Sequence, residues 1–210
     1  MRRRIRITIL TALLTLLCGA ASICLSFESV SESGRGEGNI VVDRIVAYFM
    51  GKHVDMKKDK LRAVVRTVCS ESRQRDLDYR LALAVIKVES NFKQDVVSRK
   101  GASGLFQIVP SLARHIAKDA GVKWNGSRCL RKPDDNIKLG VYHLSKLVED
   151  FESLPAALHA YHVGAVKAKA CDPNGDEPKT AFTNRVLREY KRNCSRLPDW
   201  DEPDQAPEVE

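Results

Sequence analysis

The 210-residue sequence contains no Cys-x-x-Cys pair, no internal repeat and no convincing strand pattern. Without paired cysteines a zinc site is not expected, and His143, His159 and His162 lack an adjacent carboxylate that would help to form a metal site. Gly101 and Gly104 lack the downstream Gly-Lys-Ser/Thr of a phosphate-binding loop. Basic and aromatic residues are not interleaved on one face, which argues against a nucleic-acid binder. No metal, cofactor or nucleic acid is therefore expected as a ligand.

Helical periodicity is present along most of the chain, because apolar residues recur three and four positions apart. The residues that mark these faces are Ile45 and Phe49; Leu61, Val64, Val65 and Val68; Leu81, Ala84, Val85, Val88 and Phe92; Ile137, Val141, Leu144, Val148 and Phe151; and Phe182, Val186 and Tyr190. The predicted helix starts are N-caps at Asp78, at Ser111 and at Asp134 or Asp135, and a first-turn proline at Pro155. The pattern predicts an all-α fold, or a mainly α fold with a small hairpin between residues 101 and 108.

The first 27 residues have the features of an export signal. A basic segment, residues 1–6, precedes a charge-free stretch, residues 7–27, and small residues at positions 19–22 offer a cleavage site. Cleavage is the favoured interpretation, although the stretch is also long enough to remain as a membrane anchor. Only in that second case would this segment contact a membrane. Either way the protein is expected to be exported to the periplasm or cell envelope.

Composition divides the rest of the chain into a flexible linker (residues 28–38), N-terminal helices (39–75), a main domain (76–194) and an acidic, disordered tail (195–210). The net charge is +8, of which residues 1–27 carry +4, residues 28–38 carry −2 and residues 195–210 carry −5, so residues 39–194 carry +11. A basic body favours an anionic polymer as partner. Because the chain carries an export signal, cell-wall glycan is preferred to nucleic acid.

Four cysteines lie in the body of the chain, an even number that allows three pairings. Export predicts an oxidising environment in which cysteines form disulfides. Cys171 and Cys194 flank the last predicted helix, so we expect them to bond to each other and Cys69 to bond to Cys129. The alternative is four buried free thiols.

Glu89 is the main candidate for chemistry, because it is a carboxylate at the end of an apolar helix that includes Val85 and Val88. An ionised carboxylate in such surroundings is costly unless it is paired. Its pKa is therefore expected to rise, which leaves a carboxylic acid able to donate a proton near neutral pH. The alternative is a helix-end glutamate that simply reaches solvent.

Three motifs follow one another along the chain: Glu89-Ser90, the loop segment Gly104-Leu105-Phe106-Gln107, and Ala160-Tyr161-His162. Together they resemble the Glu-Ser pair, the Gly-Leu-Met-Gln-type loop and the Ala-Tyr-Asn-type helix end of the soluble lytic transglycosylase (SLT) domain of the lysozyme-like superfamily. The resemblance covers roughly residues 76–190. It implies a lysozyme-like helical domain, with residues 76–194 as a catalytic domain that acts on the glycan strands of peptidoglycan.

The resemblance also implies a role for each matched residue. Glu89 would act alone as acid and base, because the C6 hydroxyl of the substrate's own muramic acid is the attacking group and the product is a 1,6-anhydro sugar. Ser98 and Gln107 would line the glycan cleft. Tyr161 would point its hydroxyl at Glu89, and Ser90 would support the local backbone.

The sequence departs from the family pattern in three places: His162 replaces the usual Asn, Phe106 the common Met, and Val163-Gly164-Ala165 the common Ala-Gly-Pro. An imidazole can replace some amide hydrogen bonds, but it is larger and titratable, so the role of His162 stays open. The leading function is an exported peptidoglycan lytic transglycosylase, with a cell-envelope secretion or division complex as a candidate partner. The alternatives are a goose-type muramidase, which hydrolyses the same bond, and an inactive wall-binding module of a secretion apparatus.

Overall fold

The computed structural model describes residues 40–171, with Cys171 described by its backbone alone, and residues 180–199. Residues 42–203 form one compact unit, and residues 1–41 with 204–210 form another, which is described only at residues 40 and 41. The predicted export signal, linker and nearly all of the acidic tail lie outside the described residues. In the described part of the chain, no helix has the length and apolar character required to cross a membrane.

The described residues are helical, as the periodicity predicted. The elements are α1, helical in residues 40–50; α2, Lys58–Gln74; α3, Tyr79–Ser90; α4, Pro110–Ile116; a 3-10 turn, Ser127–Arg131; α5, Pro133–Asp150; α6, Leu154–Val163; α7, Ala165–Cys171; and α8, Ala181–Cys194. The hairpin expected between residues 101 and 108 is reduced to isolated antiparallel bridges that join Ser103 to Val97 and to Ile108. Helix α7 was not predicted from the sequence.

Helix α3 lies at the centre of the fold. Every residue from Leu81 to Ile86 is buried, because apolar side chains cover the whole circumference of this segment rather than one face. Helix α3 packs against α2 and α8, α2 packs against α5, and α5 packs against α6, which also contacts α7 and α8. Phe49 of α1 meets Phe92, just beyond α3, with ring centroids 4.9 Å apart. The end of α3 is therefore surrounded by elements from both halves of the chain.

Two of the predicted helix starts are confirmed. The carboxylate of Asp78 accepts a hydrogen bond from the backbone N–H of Arg80 at 2.8 Å and so caps α3. Pro155 lies in the first turn of α6, and Ser153 caps that helix by accepting from the N–H of Ala156. A proline is tolerated there because the first N–H groups of a helix have no partner within it.

The other two predicted N-caps are wrong. Helix α4 begins at Pro110 rather than after Ser111, and α5 begins at Pro133 rather than after Asp134 or Asp135. Neither helix has a side-chain cap. In each case a proline in the first turn fixes the backbone φ angle there and has no N–H group that would need an acceptor. The two aspartates instead occupy the first turn of α5, where their negative charges interact favourably with the positive end of the helix dipole.

The predicted bond between Cys69 and Cys129 is wrong, because both are free, buried thiols. The Cys129 Sγ donates to the backbone oxygen of Gly126, and burial raises the pKa of the Cys69 thiol to about 12. Cys194 is a free, exposed thiol on α8. Its predicted bond to Cys171, whose side chain lies outside the described residues, is therefore also wrong, because a cysteine with a free thiol is in no disulfide.

Candidate functional site

Glu89 occupies the next-to-last position of α3 and is partly buried. Burial raises the pKa of its carboxyl group to about 7, while the positive charge of Arg185 on α8 acts in the opposite direction. Among the described residues no carboxylate contributes to the shift, and burial is its main cause. A group with this pKa holds a proton for a large part of the time at neutral pH, as a general acid requires.

The backbone next to Glu89 is tightly fixed. Ser90 is buried, and its hydroxyl donates to the backbone oxygen of Ile86 at 3.1 Å, so it supports the local backbone. The helix ends at Asn91, whose φ of 50° is left-handed, and Phe92 follows with a φ of 64° and a fully buried ring. Two successive residues in this sparsely populated region are maintained only where the surrounding packing determines them.

The loop that follows α3 uses its polar groups largely for its own structure. The Ser98 Oγ accepts from the N–H of Ala102 at 3.0 Å. The amide nitrogen of Gln107 donates to the backbone oxygens of Val96 and Gly104 at 3.1 and 2.9 Å. Because these donors are occupied, the Gln107 group that remains for a ligand is its Oε1 acceptor. Substrate contacts by Ser98 and Gln107 therefore remain predictions.

Asn136 holds this loop in place, a role that the sequence did not reveal. Its side chain is buried on α5, accepts from the N–H of Phe106 at 2.8 Å, and donates to the backbone oxygens of Ser103 and Leu130 at 2.9 and 3.0 Å. The side-chain amide of Asn136 is thus the hydrogen-bond partner of three backbone groups in the interior. The sequence signal was a polar residue next to Ile137 in the otherwise apolar stripe of α5.

Two glycines allow the loop to approach α5 closely. A Cβ on Gly104, whose φ is 79°, would lie 2.4 Å from the Asn136 amide nitrogen and from the Leu130 backbone oxygen. A Cβ on Gly140 would lie 2.1 Å from the ring of Phe106. Phe106, at the position where the family commonly has Met, is therefore a fully buried core residue seated against Gly140.

Tyr161 lies beside Glu89 but does not donate to it. The Tyr161 hydroxyl donates to the backbone oxygen of Phe106 at 2.7 Å. Burial, with a smaller contribution from the charge of Glu89, raises the pKa of the phenol well above its ordinary value. The expectation that the hydroxyl points its proton at Glu89 is thus corrected, because the backbone oxygen of Phe106 takes the phenol's only hydrogen.

His162, exposed at the end of α6, stacks on Phe182 of α8 with ring centroids 4.5 Å apart and planes 12° from parallel. The same phenylalanine is stacked with Tyr161 at 6.4 Å. On the other side of Tyr161 lies His143, at 5.3 Å, and burial lowers the pKa of His143 to about 4. His143 is therefore neutral at physiological pH and acts as an aromatic packing group.

Two cations near the site, Arg185 and Lys100, were not singled out from the sequence. Burial lowers the pKa of His162, and coupling to His159 and the positive charges of Lys100 and Arg185 act in the same direction. Arg185 also acts on Glu89. No sequence pattern brings position 185 near position 89, because the packing of α8 on α3 creates this neighbourhood. Among the described residues, no three His, Cys, Asp or Glu side chains lie close enough together to hold a metal ion.

The site therefore lies in a helical fold and combines a partly buried acid at the end of α3, a neighbouring tyrosine of α6 and a glycine-containing loop that α5 holds in place. The family model described as Transglycosylase SLT domain matches residues 67–182, more than half of the chain. The chain belongs to this family. The match starts within α2 and ends at the beginning of α8.

Named relatives are similar over part of their length. The chain is 33% identical over 81 residues to the soluble lytic murein transglycosylase of Salmonella typhimurium, covering 38% of this chain and 13% of that protein. It is 31% identical over 119 residues to the membrane-bound lytic murein transglycosylase C of Photorhabdus laumondii, covering 56% of this chain and 32% of that protein. The matched region is thus less than a third of either relative.

Two solved structures show the same fold. An inactive mutant of the lytic transglycosylase Slt from Pseudomonas aeruginosa superposes with a TM-score of 0.55 and 24% identity, covering 64% of this chain and 25% of that one. The 70-kDa soluble lytic transglycosylase from Escherichia coli superposes with a TM-score of 0.57 and 21% identity, covering 61% and 24%. At this level of identity the likeness concerns the fold alone.

Proposed function

We propose that this protein is an exported peptidoglycan lytic transglycosylase that cleaves the β-1,4 bond between N-acetylmuramic acid and N-acetylglucosamine. The observation that carries the proposal is Glu89, a single carboxyl group whose burial raises its pKa to about 7. Membership of the SLT family supports the same substrate class. The names of both relatives refer to murein.

The proposed reaction needs one acid. The protonated Glu89 carboxyl donates its proton to the glycosidic oxygen as the bond to the muramic acid C1 breaks, because an alkoxide is a poor leaving group. The C6 hydroxyl of the same muramic acid then attacks C1, and the Glu89 carboxylate takes up the hydroxyl proton. The acid is thereby regenerated, no water is consumed, and the product ends in a 1,6-anhydro sugar.

This scheme agrees with the electrostatics around Glu89, where the cation Arg185 is the one charge among the described residues that acts on its pKa. Glycosidases that hydrolyse with two carboxylates place the second one within about 10 Å of the first. A second carboxylate that close would be expected to raise the pKa of Glu89 further. Among the described residues no carboxylate contributes in this way, which agrees with the one-acid scheme.

Digestion of purified peptidoglycan, followed by mass spectrometry of the muropeptides, tests the proposal. Products with 1,6-anhydromuramyl ends, lighter by one water than reducing ends, are the expected outcome. Reducing ends would identify a hydrolytic muramidase of the goose type. Intact strands that co-sediment with the protein would identify a wall-binding module without activity.

A further inference from the structure

The turn that ends α3 is held by the end of α1 and the segment that follows it. Asn91 and Phe92 have φ values of 50° and 64°, a conformation that residues other than glycine keep only where their neighbours impose it. The backbone oxygen of Asn91 accepts from the N–H of Asp55 at 3.4 Å. The ring of Phe92 packs on that of Phe49 with centroids 4.9 Å apart. Both residues of the turn therefore have partners near the N-terminal end of the described chain.

Lys87 connects the side chain of Asn91 to the same segment. Its Nζ donates to the Asn91 Oδ1 and, at 3.3 Å, to the backbone oxygen of Lys52. In return the backbone N–H of Asn91 donates to the backbone oxygen of Lys87 at 3.2 Å. Lys52 is itself paired with Glu189 of α8. One ammonium group thus connects the end of α3 to a segment that precedes residues 67–182, the part that the family model matches.

The position of Lys87 is costly for a charged group. Burial lowers the pKa of its ammonium group; the charge of Glu189 acts in the opposite direction, and that of Lys52 in the same direction as burial. A lysine that served only solubility would extend its ammonium group into water instead. Lys87 does not share a helix face with Glu89, two positions further on. Any influence of Lys87 on Glu89 is therefore expected to pass through the turn that follows both residues.

We propose that Lys87 is a positioning residue for the acid: its contacts with Asn91 and Lys52 fix the turn that holds the Glu89 side chain in place for proton transfer. This inference rests on the proposed function, since it assumes that Glu89 is the acid. Without these contacts α3 can end earlier, and Glu89 can take other conformations closer to water. A displacement of about 1 Å is enough to lower the rate of a reaction on the order of 10²-fold.

Lys87→Met tests the proposal, because it removes the ammonium group and keeps a long apolar side chain. With a soluble oligomer of alternating N-acetylglucosamine and muramic acid as substrate, kcat is expected to fall roughly 10- to 100-fold, with KM changed by less than about twofold. Lys87→Arg keeps a cationic donor and should recover most of the rate. Lys138→Met is the matched control, because Lys138 is likewise partly buried, on α5, and this variant should keep the parental rate.

The pKa of Glu89 separates positioning from other effects of Lys87→Met. NMR titration of isotopically labelled glutamate carboxyl groups measures it, and the Glu89 signal is assigned by its absence from Glu89→Gln. Positioning predicts a lower pKa, because Glu89 becomes less buried, whereas removal of a cation acting directly would raise the pKa. A general loss of stability would leave it unchanged. Asn91→Gly provides a second route, because glycine adopts the φ of 50° without strain but cannot accept from Lys87. This variant should show the same lower pKa and lower kcat.

Three results would overturn the proposal: a parental kcat in Lys87→Met, a pKa of Glu89 that rises or stays unchanged, or a Lys87→Arg protein as slow as Lys87→Met. If Lys87→Met does not fold, Asn91→Gly decides by the same measurements. Failure of the proposed function would look different. Wild-type protein would then produce no anhydromuramyl ends, while the pKa of Glu89 would still fall in Lys87→Met.

Discussion

Glu89 is the residue on which the proposed chemistry depends, and replacing it by Gln tests that role with little change in shape. Glutamine has no acidic proton to donate, so cleavage of peptidoglycan is expected to fall on the order of 10²–10⁴-fold. The thermal unfolding midpoint should remain near that of the parent. Glu152→Gln, at an exposed glutamate, is the matched control and should keep full activity. Wild-type turnover by Glu89→Gln would refute the assignment.

The pKa of Glu89 also predicts how activity depends on pH. Because burial raises that pKa to about 7, the protonated acid is present below pH 7 and is lost as the pH rises through this value. The alkaline limb of the pH–rate profile should therefore have an apparent pKa near 7, well above the ordinary range for glutamate. The same group favours the folded state below its unfolded pKa, and this contribution to stability is lost as the pH rises through 7. An alkaline limb near pH 4 to 5 would contradict the assignment of Glu89 as acid.

Tyr161→Phe separates an electrostatic role of the phenol from a structural one. Since the hydroxyl donates to the backbone oxygen of Phe106, only its lone pairs can face the carboxyl group, and these do not stabilise the carboxylate. We therefore expect the apparent pKa of the alkaline limb to stay unchanged or to fall. The rate should also fall, because the loop loses its hydrogen bond to Tyr161 of α6. A rise in that pKa would show that the phenol donates to Glu89 during turnover.

At the scale of elements, the attachment of the loop to α5 decides whether the site has a fixed shape. Asn136→Ala would leave the N–H of Phe106 and the oxygens of Ser103 and Leu130 without their partner. The free energy of unfolding should fall by about 2–4 kcal/mol, the cost of leaving buried polar groups unsatisfied. Chemical denaturation measures the change, and activity should fall with it.

The exposed Asn184 of α8 provides the control for this substitution, and Asn184→Ala should alter stability by about 0.5 kcal/mol or less. Gly140→Ala should reproduce the loss of activity by a different route, because the added methyl group would collide with the ring of Phe106. A fully active Asn136→Ala variant with unchanged stability would show that the loop does not depend on α5.

Local signals predicted the elements well and their contacts poorly. Apolar spacing located α2, α3, α5 and α8, and the short side chain of Asp78 marked the start of α3, because both signals act within a few residues. Prediction failed at Ser111, where a proline one position earlier started the helix without a cap. It also failed at Asn136 and Arg185. Their roles arise from tertiary contacts with residues far away in the chain; a polar residue beside Ile137 was a local signal for Asn136, but no local pattern identifies the partners.

At the scale of the whole molecule, the C-terminal helix is attached to the start of α3. Tyr190 of α8 donates to the Asp78 carboxylate at 2.8 Å, and the Asn193 side chain donates to the backbone oxygen of Arg80 at 2.9 Å. Just beyond α8, the Tyr79 hydroxyl donates to the oxygen of Pro198. Helix α8 also carries Phe182 and Arg185, so these bonds fix the position of both side chains relative to α3.

A partly buried ion pair joins the two ends of this unit. Glu189 of α8 pairs with Lys52, just after α1, and with Arg192 at 3.4 Å. Both Lys52 and Glu189 lie outside residues 67–182, the part that the family model matches. Helix α1 and the end of α8 are therefore expected to belong to the same cooperative unit as the site.

Glu189→Gln tests this coupling. The substitution would leave the partly buried Lys52 without its anion and near a second cation, Lys87, whose pKa is affected by both Glu189 and Lys52. Removing one partner of a partly buried pair leaves a charge without its counterion, so the free energy of unfolding should fall by about 1–3 kcal/mol, less than for a fully buried pair. Glu149→Gln breaks the exposed pair with Lys146 and should cost about 0.5 kcal/mol or less. Chemical denaturation of both variants, followed by far-UV circular dichroism and by tryptophan fluorescence, measures the difference. Equal stabilities, or separate transitions for the two probes, would show that the unit does not unfold as one.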